Sequence, residues 1–305
     1  MEFSDDLLAA LLSIVASVAF AGSSVFFFRG TRHAHNWVGI LCSVLLGPPV
    51  FLVMALGTGE FGELGAVSGL FILFMASAGV LHFVVGRALY FGSIRAIGAS
   101  RSSIAIGAVP FFSVLFAVLL LDETMSVAIA LGGFLVLLGP LLISQGRASG
   151  NAAFPISPAQ LRTGVLLGLG TSVLWGTSPV MISAGLDEND LPVAGGLVSY
   201  AAAGSALLVA FVVSPGAREK AAAPDRRGVL WYLLSAACVT VAQFLTFLAL
   251  SLGSVTVVIL LQQTSPIFVL LLTFLVSRHL EVPNATVIAG SIIVVTGAAI
   301  VVASS

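Results

Sequence analysis

Residues 102–121 read SSIAIGAVPFFSVLFAVLLL, a stretch with no Asp, Glu, Lys or Arg. A transmembrane α-helix needs roughly 20 consecutive, mainly apolar residues to cross the hydrocarbon core of a bilayer. Inside lipid the backbone has to satisfy its own hydrogen bonds, which a helix does within one segment. This stretch, with Pro110 near its middle, is therefore predicted to lie in a membrane-spanning helix.

Nine further runs of the same kind surround it. Of the 305 residues, 59% are hydrophobic and 8% are charged, whereas a soluble globular protein has about 25% charged residues. The runs lack the period-2 alternation of membrane β-strands, so we predict an all-α integral membrane protein. The ten predicted transmembrane helices are 7–28, 37–56, 66–88, 99–120, 126–144, 162–183, 193–213, 228–250, 255–276 and 284–303.

The two halves of the chain resemble each other at an almost constant offset. A shift of 156 residues places Leu89, Phe91, Pro110 and Phe112 on Leu245, Phe247, Pro266 and Phe268. Each half holds five predicted spans, and consecutive units with an odd number of spans insert in opposite orientations, as in many secondary transporters. We therefore expect a five-helix repeat over 1–148, a linker over 149–161 and an inverted repeat over 162–305, around a central cavity.

Charge is distributed unevenly between the two faces. All twelve Lys and Arg residues lie at odd-numbered loops, whereas the other face holds acidic residues. By the positive-inside rule the odd-numbered loops are cytoplasmic and both termini lie outside. The first run is interpreted as a retained helix, because the residues before it carry no positive charge. The net charge of -1 gives no indication of nucleic-acid binding, and the two cysteines have no metal-ligand spacing.

Two motifs carry a family resemblance. Residues 172–180 read SVLWGTSPV, with small residues around a Trp-Gly pair, and residues 88–121 hold the end of helix 3 and helix 4. Asp122, Glu123 and Thr124 follow, and a second copy of the pattern surrounds Pro266. Over essentially its full length the chain resembles the EamA branch of the drug/metabolite transporter superfamily.

The resemblance implies a ten-helix carrier made of two inverted five-helix bundles. It also implies alternating access to a cavity lined by helices 1, 3, 4, 6, 8 and 9, and it leaves the substrate open. The chain departs from the family pattern at three points. The family places both termini in the cytoplasm, the loop 57–65 is acidic where the family has a basic one, and Phe20-Ala21 replaces the first Trp-Gly.

Ionisable groups inside a membrane are costly and mark functional sites, and the predicted spans hold few. His82 is a candidate for binding a substrate or exchanging a proton, or else it bonds to a neighbouring helix. Arg87 either extends to the membrane interface or attracts an anion at the mouth of the cavity. Tyr90 and Trp175 either contact a solute or belong to the aromatic belt at the interface.

Amides and prolines complete the set of candidates. Gln243, Gln262 and Gln263 each need a partner, which is substrate, water or another helix. Adjacent helical residues point about 100° apart, so Gln262 and Gln263 are not expected to face the pore centre together. Pro110 and Pro266 are either paired hinges or sites of static curvature.

These features predict a secondary transporter of small metabolites in the plasma membrane, rather than an enzyme. No cofactor or metal is expected, and the predicted partners are a small-molecule substrate and the lipid bilayer, with the protein as a monomer or homodimer. The spans contain no Asp or Glu, which favours a neutral, zwitterionic or anionic solute over exchange of cationic drugs for protons. The alternatives are an integral-membrane enzyme, which usually has clustered acids, and a non-transporting helical scaffold.

Overall fold

The computed structural model describes residues 5–97, 102, 105–148, 157–221, 224–276 and 285–304, and these residues contain helices but no strand. Six stretches are long and apolar enough to cross a membrane, namely Asp5–Gly30, Asn36–Thr58, Gly69–Ile97, Pro158–Glu188, Pro192–Val213 and Arg226–Leu252. Shorter apolar helices accompany them at Val109–Leu120, Val127–Gly139, Val255–Val269 and Ala289–Ser304. The chain is a multi-pass membrane protein.

The α-helices are numbered in chain order. Their bounds are α1 (Asp5–Gly30), α2 (Asn36–Leu45), α3 (Gly47–Thr58), α4 (Glu60–Glu63), α5 (Gly69–Val80), α6 (Arg87–Ile97), α7 (Val109–Leu120), α8 (Val127–Ala148), α9 (Pro158–Glu188), α10 (Pro192–Val213), α11 (Pro215–Ala221), α12 (Arg226–Leu252), α13 (Val255–Gln262), α14 (Ser265–Val276) and α15 (Ala285–Ser304). A π-helical turn, Leu81–Gly86, joins α5 to α6 without a break.

Helix α9 begins earlier than the sequence predicted. Its first residue is Pro158, so the last part of the predicted linker is helical, while residues 149–156 lie outside the described residues. Ser157 and Gln160 form a capping box, in which each side chain bonds to the other residue's backbone N–H. Such a box satisfies N–H groups that have no partner within the helix, and it fixes the helix start.

Apolar side chains cover the outside of the molecule, and small polar ones fill much of the inside. Val53, Val127 and Val213 are 70%, 77% and 74% exposed. Ser17 and Ser172, in contrast, are fully buried in α1 and α9. This is the arrangement expected in lipid, where small and hydroxyl-bearing residues let helices approach each other and bond.

Helices of the first half pack mainly against helices of the second half. Helix α1 lies along α12 and α14, α8 lies along α15, and α9 lies against α5, α6 and α7. Helix α10 packs on α3 and α5. The two halves therefore contact each other along several helices.

An apolar cluster, called here the plug, closes one end of the molecule. Its buried members include Phe71, Leu186, Leu191, Leu250 and Val255, and Leu64, Val67 and Leu121 pack against it. These residues lie in the turns after α4, α7, α9 and α12 or in the helical residues next to those turns. The four turns therefore meet at the same end.

Two glutamates tie the halves together at this end. Glu60 and Glu123 belong to the first half, and each accepts hydrogen bonds from the first turn of a helix in the second half. The bonds are Val193 N (2.9 Å) and Ala194 N (2.8 Å) to Glu60 Oε2, Val255 N (2.6 Å) to Glu123 Oε1 and Thr256 N (3.1 Å) to Glu123 Oε2. A helix start has unpaired N–H groups and a partial positive charge, which a carboxylate stabilises. Burial raises the pKa of Glu60, although these hydrogen bonds oppose the shift.

Helices α5 and α10 touch through Gly79, which gives a test of the packing. A Cβ at Gly79 would overlap the carbonyl of Ser199, whereas a Cβ at Gly69 in the same helix would meet nothing within 4 Å. Because overpacking costs about 1–3 kcal/mol, Gly79→Ala is expected to lower the thermal unfolding midpoint in detergent. Gly69→Ala serves as the control, and equal midpoints for the two variants would contradict this packing.

Candidate functional site

His82 and Trp175 form the centre of the candidate site. Their rings stack with centroids 5.4 Å apart and planes 20° from parallel. Trp175 Nε1 donates to His82 O at 2.9 Å, and His82 Nδ1 lies 2.7 Å from Ser178 Oγ. Tyr90 also packs against Trp175, with ring centroids 5.6 Å apart. Three residues predicted from the sequence are therefore neighbours.

The backbone around His82 departs from α-helical geometry. His82 lies in the π-helical turn Leu81–Gly86, and single π-helical turns inside α-helices occur frequently at functional sites. A Cβ at Gly86 would overlap the indole of Trp175. Only glycine at this position allows the indole to lie so close to the turn and to donate to His82 O.

The hydrogen bonds of Ser178 assign the tautomer of His82. Ser178 Oγ donates to Trp175 O at 3.1 Å, and a hydroxyl group has one proton. His82 Nδ1 is then the donor to Ser178 Oγ, and in a neutral imidazole Nε2 is the acceptor. Within the described part of the chain His82 Nε2 has no hydrogen-bond partner, so it is available to a solute.

Arg87 points into the membrane-spanning part of the protein. Its guanidinium carbon lies 5.5 Å from the ring centre of Phe83, one turn back along the helix, and Nη1 donates to Ser43 Oγ. Phe83 is the midpoint of the 29-residue stretch Gly69–Ile97. Helical side chains lean toward the helix N-terminus, and these contacts place the guanidinium of Arg87 toward the middle of the stretch. Its role in attracting an anion stays a prediction.

A second group of polar side chains lies beyond Phe83. The ring of Tyr200 is 4.5 Å from that of Phe83. The Tyr200 hydroxyl lies beside Thr240, but neither Tyr200 Oη nor Thr240 Oγ1 has a hydrogen-bond partner of good geometry, although both are buried. Gln243 follows Thr240 by one helical turn and is 6% exposed.

The remaining two glutamines lie at a break in helical structure. Helix α13 ends at Gln262, and α14 begins at Ser265. Gln262 Nε2 donates to Thr246 Oγ1 at 2.9 Å, and Gln263 Nε2 lies 3.5 Å from Ile259 O. Both glutamines line a cavity of about 390 Å³, together with Phe20, Ser24, Ser265, Pro266 and Val269. Because the helix is interrupted here, the 100° spacing of adjacent helical residues does not separate them.

Each predicted hinge proline lies just after a break. The chain turns at Gly107–Ala108 and Pro110 is in the first turn of α7, while it turns at Gln263–Thr264 and Pro266 is in the first turn of α14. The prolines therefore begin helices instead of bending helix interiors. Proline is tolerated at a helix start because an N–H there has no partner within the helix.

The structure adds three residues that the sequence analysis did not single out. Ser43 bonds to Arg87, Tyr200 packs against Phe83, which Arg87 contacts, and Thr240 lies beside the Tyr200 hydroxyl. Serine and threonine are common inside membrane helices, so their presence alone carries little signal. The spacing of Thr240, Gln243 and Thr246 at three-residue steps is the one pattern that marks a polar face on α12.

The model of the EamA-like transporter family matches the chain twice, over residues 7–145 and 162–303. No curated protein matches the sequence. One crystal structure of another protein superposes with a TM-score of 0.77, at 18% identity, over 97% of this chain and 99% of that chain, a likeness that shows the fold alone. Because the two family matches cover nearly all of the sequence, the chain belongs to the EamA-like transporter family, whose members are membrane transporters of small molecules.

Proposed function

We propose that the protein is a secondary transporter that carries a small neutral, zwitterionic or anionic solute across the plasma membrane by alternating access. The observation that carries this proposal is the pair of helix breaks at Gly107–Ala108 and Gln263–Thr264, which lie 156 residues apart. Interrupted helices at corresponding positions of two repeats are the strongest indication of a transporter's substrate site.

Residues at or beside each break form a hydrogen bond with the first long helix of the other half. Ser17 of α1 lies 2.8 Å from Thr264, hydroxyl to hydroxyl, and Ser172 of α9 donates to Ala105 O at 2.8 Å. Ser17 and Ser172 are 155 residues apart and correspond in the repeat. The matching bonds support two inverted five-helix units, over 1–148 and 162–305, joined by the linker 149–161 and forming ten transmembrane helices.

The polar side chains around His82 and those around Gln262 are also related by the offset between the two halves. The offset of 156 residues places Tyr90 on Thr246, and the offset of 155 places Trp175 on Phe20. Tyr90 and Trp175 pack beside His82, while Phe20 lines the cavity of Gln262, which bonds to Thr246. We interpret the two clusters as the two sides of one solute pathway between the halves, with Pro110 and Pro266 as its hinges.

In the proposed alternating-access cycle, the plug and the two glutamates keep one end of the solute pathway closed. Glu60 and Glu123 join first-half turns to second-half helix starts, so separating the halves at this end breaks both contacts together with the plug. The same contacts weaken the alternative of a membrane enzyme, because these two acids bind backbone N–H groups. Opening and resealing of this end is the proposed gating step.

Transport is tested by uptake into liposomes containing the purified protein, with a panel of radiolabelled carboxylic acids, amino acids, sugars and nucleosides. Saturable uptake of at least one solute is expected. His82→Ala is expected to reduce it about fivefold to a hundredfold, because a lost hydrogen bond to a solute costs about 1–3 kcal/mol. His33→Ala is the matched control, since His33 pairs with Asp225 at the surface. Absence of uptake by folded protein, or equal loss in both variants, would contradict the proposal.

The gate is tested by labelling a cysteine placed in the plug. In a background with Cys42→Ala and Cys238→Ala, the substitution Ala249→Cys puts a thiol at a fully buried position. Glu123→Gln removes the charge and one of the two acceptor oxygens used by Val255 and Thr256, and charge-assisted bonds are about twice as strong as neutral ones.

Glu123→Gln is therefore expected to speed labelling by a water-soluble maleimide several-fold. Glu63→Gln is the control, because Glu63 lies on the same surface and makes no hydrogen bond to the described part of the chain through its side chain. Equal labelling rates for the two glutamine variants would show that Glu123 does not hold this end closed.

A further inference from the structure

Arg87 is a positive charge deep in the membrane-spanning region. It lies four residues from the midpoint of the stretch Gly69–Ile97, which corresponds to about 6 Å along the helix axis at 1.5 Å per residue. Its contact with Phe83 directs the guanidinium back toward that midpoint. A charged group at this depth is expensive unless it is paired.

The described part of the chain provides no counterion for Arg87. The ion pair that it contains joins His33 to Asp225, at the surface, and no Asp or Glu occurs within the predicted spans. Ser43 accepts one hydrogen bond from Arg87. A guanidinium has five N–H donors, so most of the donor capacity of Arg87 is left for another partner.

Neutral polar groups face the same region from two other helices. Tyr200 of α10 packs against the ring of Phe83, which Arg87 also contacts. Its hydroxyl lies beside that of Thr240, and both are buried without a hydrogen bond of good geometry. Gln243, one turn further along α12, is 6% exposed. An unpaired buried polar group costs about 1–3 kcal/mol, so two such hydroxyl groups beyond the ring that a cation contacts indicate a ligand.

We propose that Arg87, Tyr200, Thr240 and Gln243 bind the carboxylate of an organic acid monoanion. This inference rests on the proposed transport function and narrows its substrate class. The planar guanidinium matches the two oxygens of a carboxylate, and the hydroxyl and amide groups supply further donors. His82 lies five residues before Arg87 along the same stretch, and it would contact the rest of the acid together with its neighbour Trp175 and with Tyr90.

The charge balance favours a carboxylate over a phosphate. One monoanion neutralises the one guanidinium, whereas a dianionic phosphate leaves a net negative charge among neutral groups inside the membrane, which is costly. A neutral solute would leave Arg87 uncompensated. The expected preference is therefore acid over its uncharged amide, and carboxylate over phosphate.

Binding is measured by titration calorimetry and thermal unfolding on the purified full-length protein in detergent. The probes are acetate and benzoate, each compared with its amide, and inorganic phosphate. At least one carboxylate is expected to bind at least tenfold more tightly than its amide and than phosphate. Equal binding of acid and amide, or no binding of either acid, overturns the proposal, and tighter binding of phosphate overturns the carboxylate assignment.

Variants identify the residues that bind. Arg87→Gln is expected to weaken carboxylate binding about tenfold to a hundredfold, as the loss of a charge-assisted bond of about 1.5–3 kcal/mol implies, and Arg87→Lys is expected to weaken it less. Arg95→Gln, which changes an exposed arginine of the same helix, is expected to have no effect. Equal losses at positions 87 and 95 would overturn the assignment of Arg87.

Tyr200→Phe separates binding from folding. The Tyr200 hydroxyl makes no hydrogen bond in the ligand-free protein, so its removal is expected to leave the unfolding midpoint without ligand unchanged or higher. Carboxylate binding should fall several-fold. Unchanged carboxylate binding, or a fall in both carboxylate binding and the unfolding midpoint, would assign Tyr200 a structural role and overturn its place in the site.

Uptake of neutral solutes without acid binding would refute this inference alone, whereas acid binding without uptake of any solute would refute the transport function.

Discussion

The structure depends on one constraint: within a bilayer, the chain has to satisfy its own backbone polar groups and charges. Long helices meet this constraint along most of the sequence. Where helices stop inside the protein, other groups replace the missing bonds. Ser17 and Ser172 bond at the two breaks, while Glu60 and Glu123 satisfy helix starts at the plugged end. The irregular parts are thus the parts where the two halves hold each other, which couples local helix geometry to the contact between halves.

The same constraint explains why buried polar groups without partners help to locate the solute site. Many buried hydroxyl groups bond to a carbonyl one turn away, as Ser13 does to Ala9 and Thr177 does to Val173. Among the described residues, the buried side-chain atoms without a hydrogen bond of good geometry are Tyr200 Oη, Thr240 Oγ1 and Thr256 Oγ1. The first two lie beyond the ring of Phe83, which the guanidinium of Arg87 contacts. The proposed solute site is therefore the place where the described residues leave the charge of Arg87 without a counterion.

Hydropathy predicted the helical class and the positions of most spans, because these depend on local composition. The internal offset paired Pro110 with Pro266, and their role as hinges stays a prediction. The match of the family model to both halves agrees with the predicted resemblance. The direction of Arg87 and the bond between His82 and Ser178 were outside the reach of the sequence, because they depend on neighbours distant in the chain. The π-helical turn at His82 was missed for a related reason: it is stabilised by the indole of Trp175 donating to His82 O. Ser178 is one of the small residues around the Trp-Gly pair, and only the fold shows its partner.

The central claim is that a solute crosses between the halves by alternating access. The most direct test is counterflow: liposomes containing the protein are loaded with a high concentration of an unlabelled solute that supports uptake, then diluted into a trace of the same solute in labelled form. An alternating-access carrier exchanges the two, so labelled solute should accumulate transiently above its equilibrium level inside. Entry that only rises to equilibrium, with no overshoot at any internal concentration, would contradict the account.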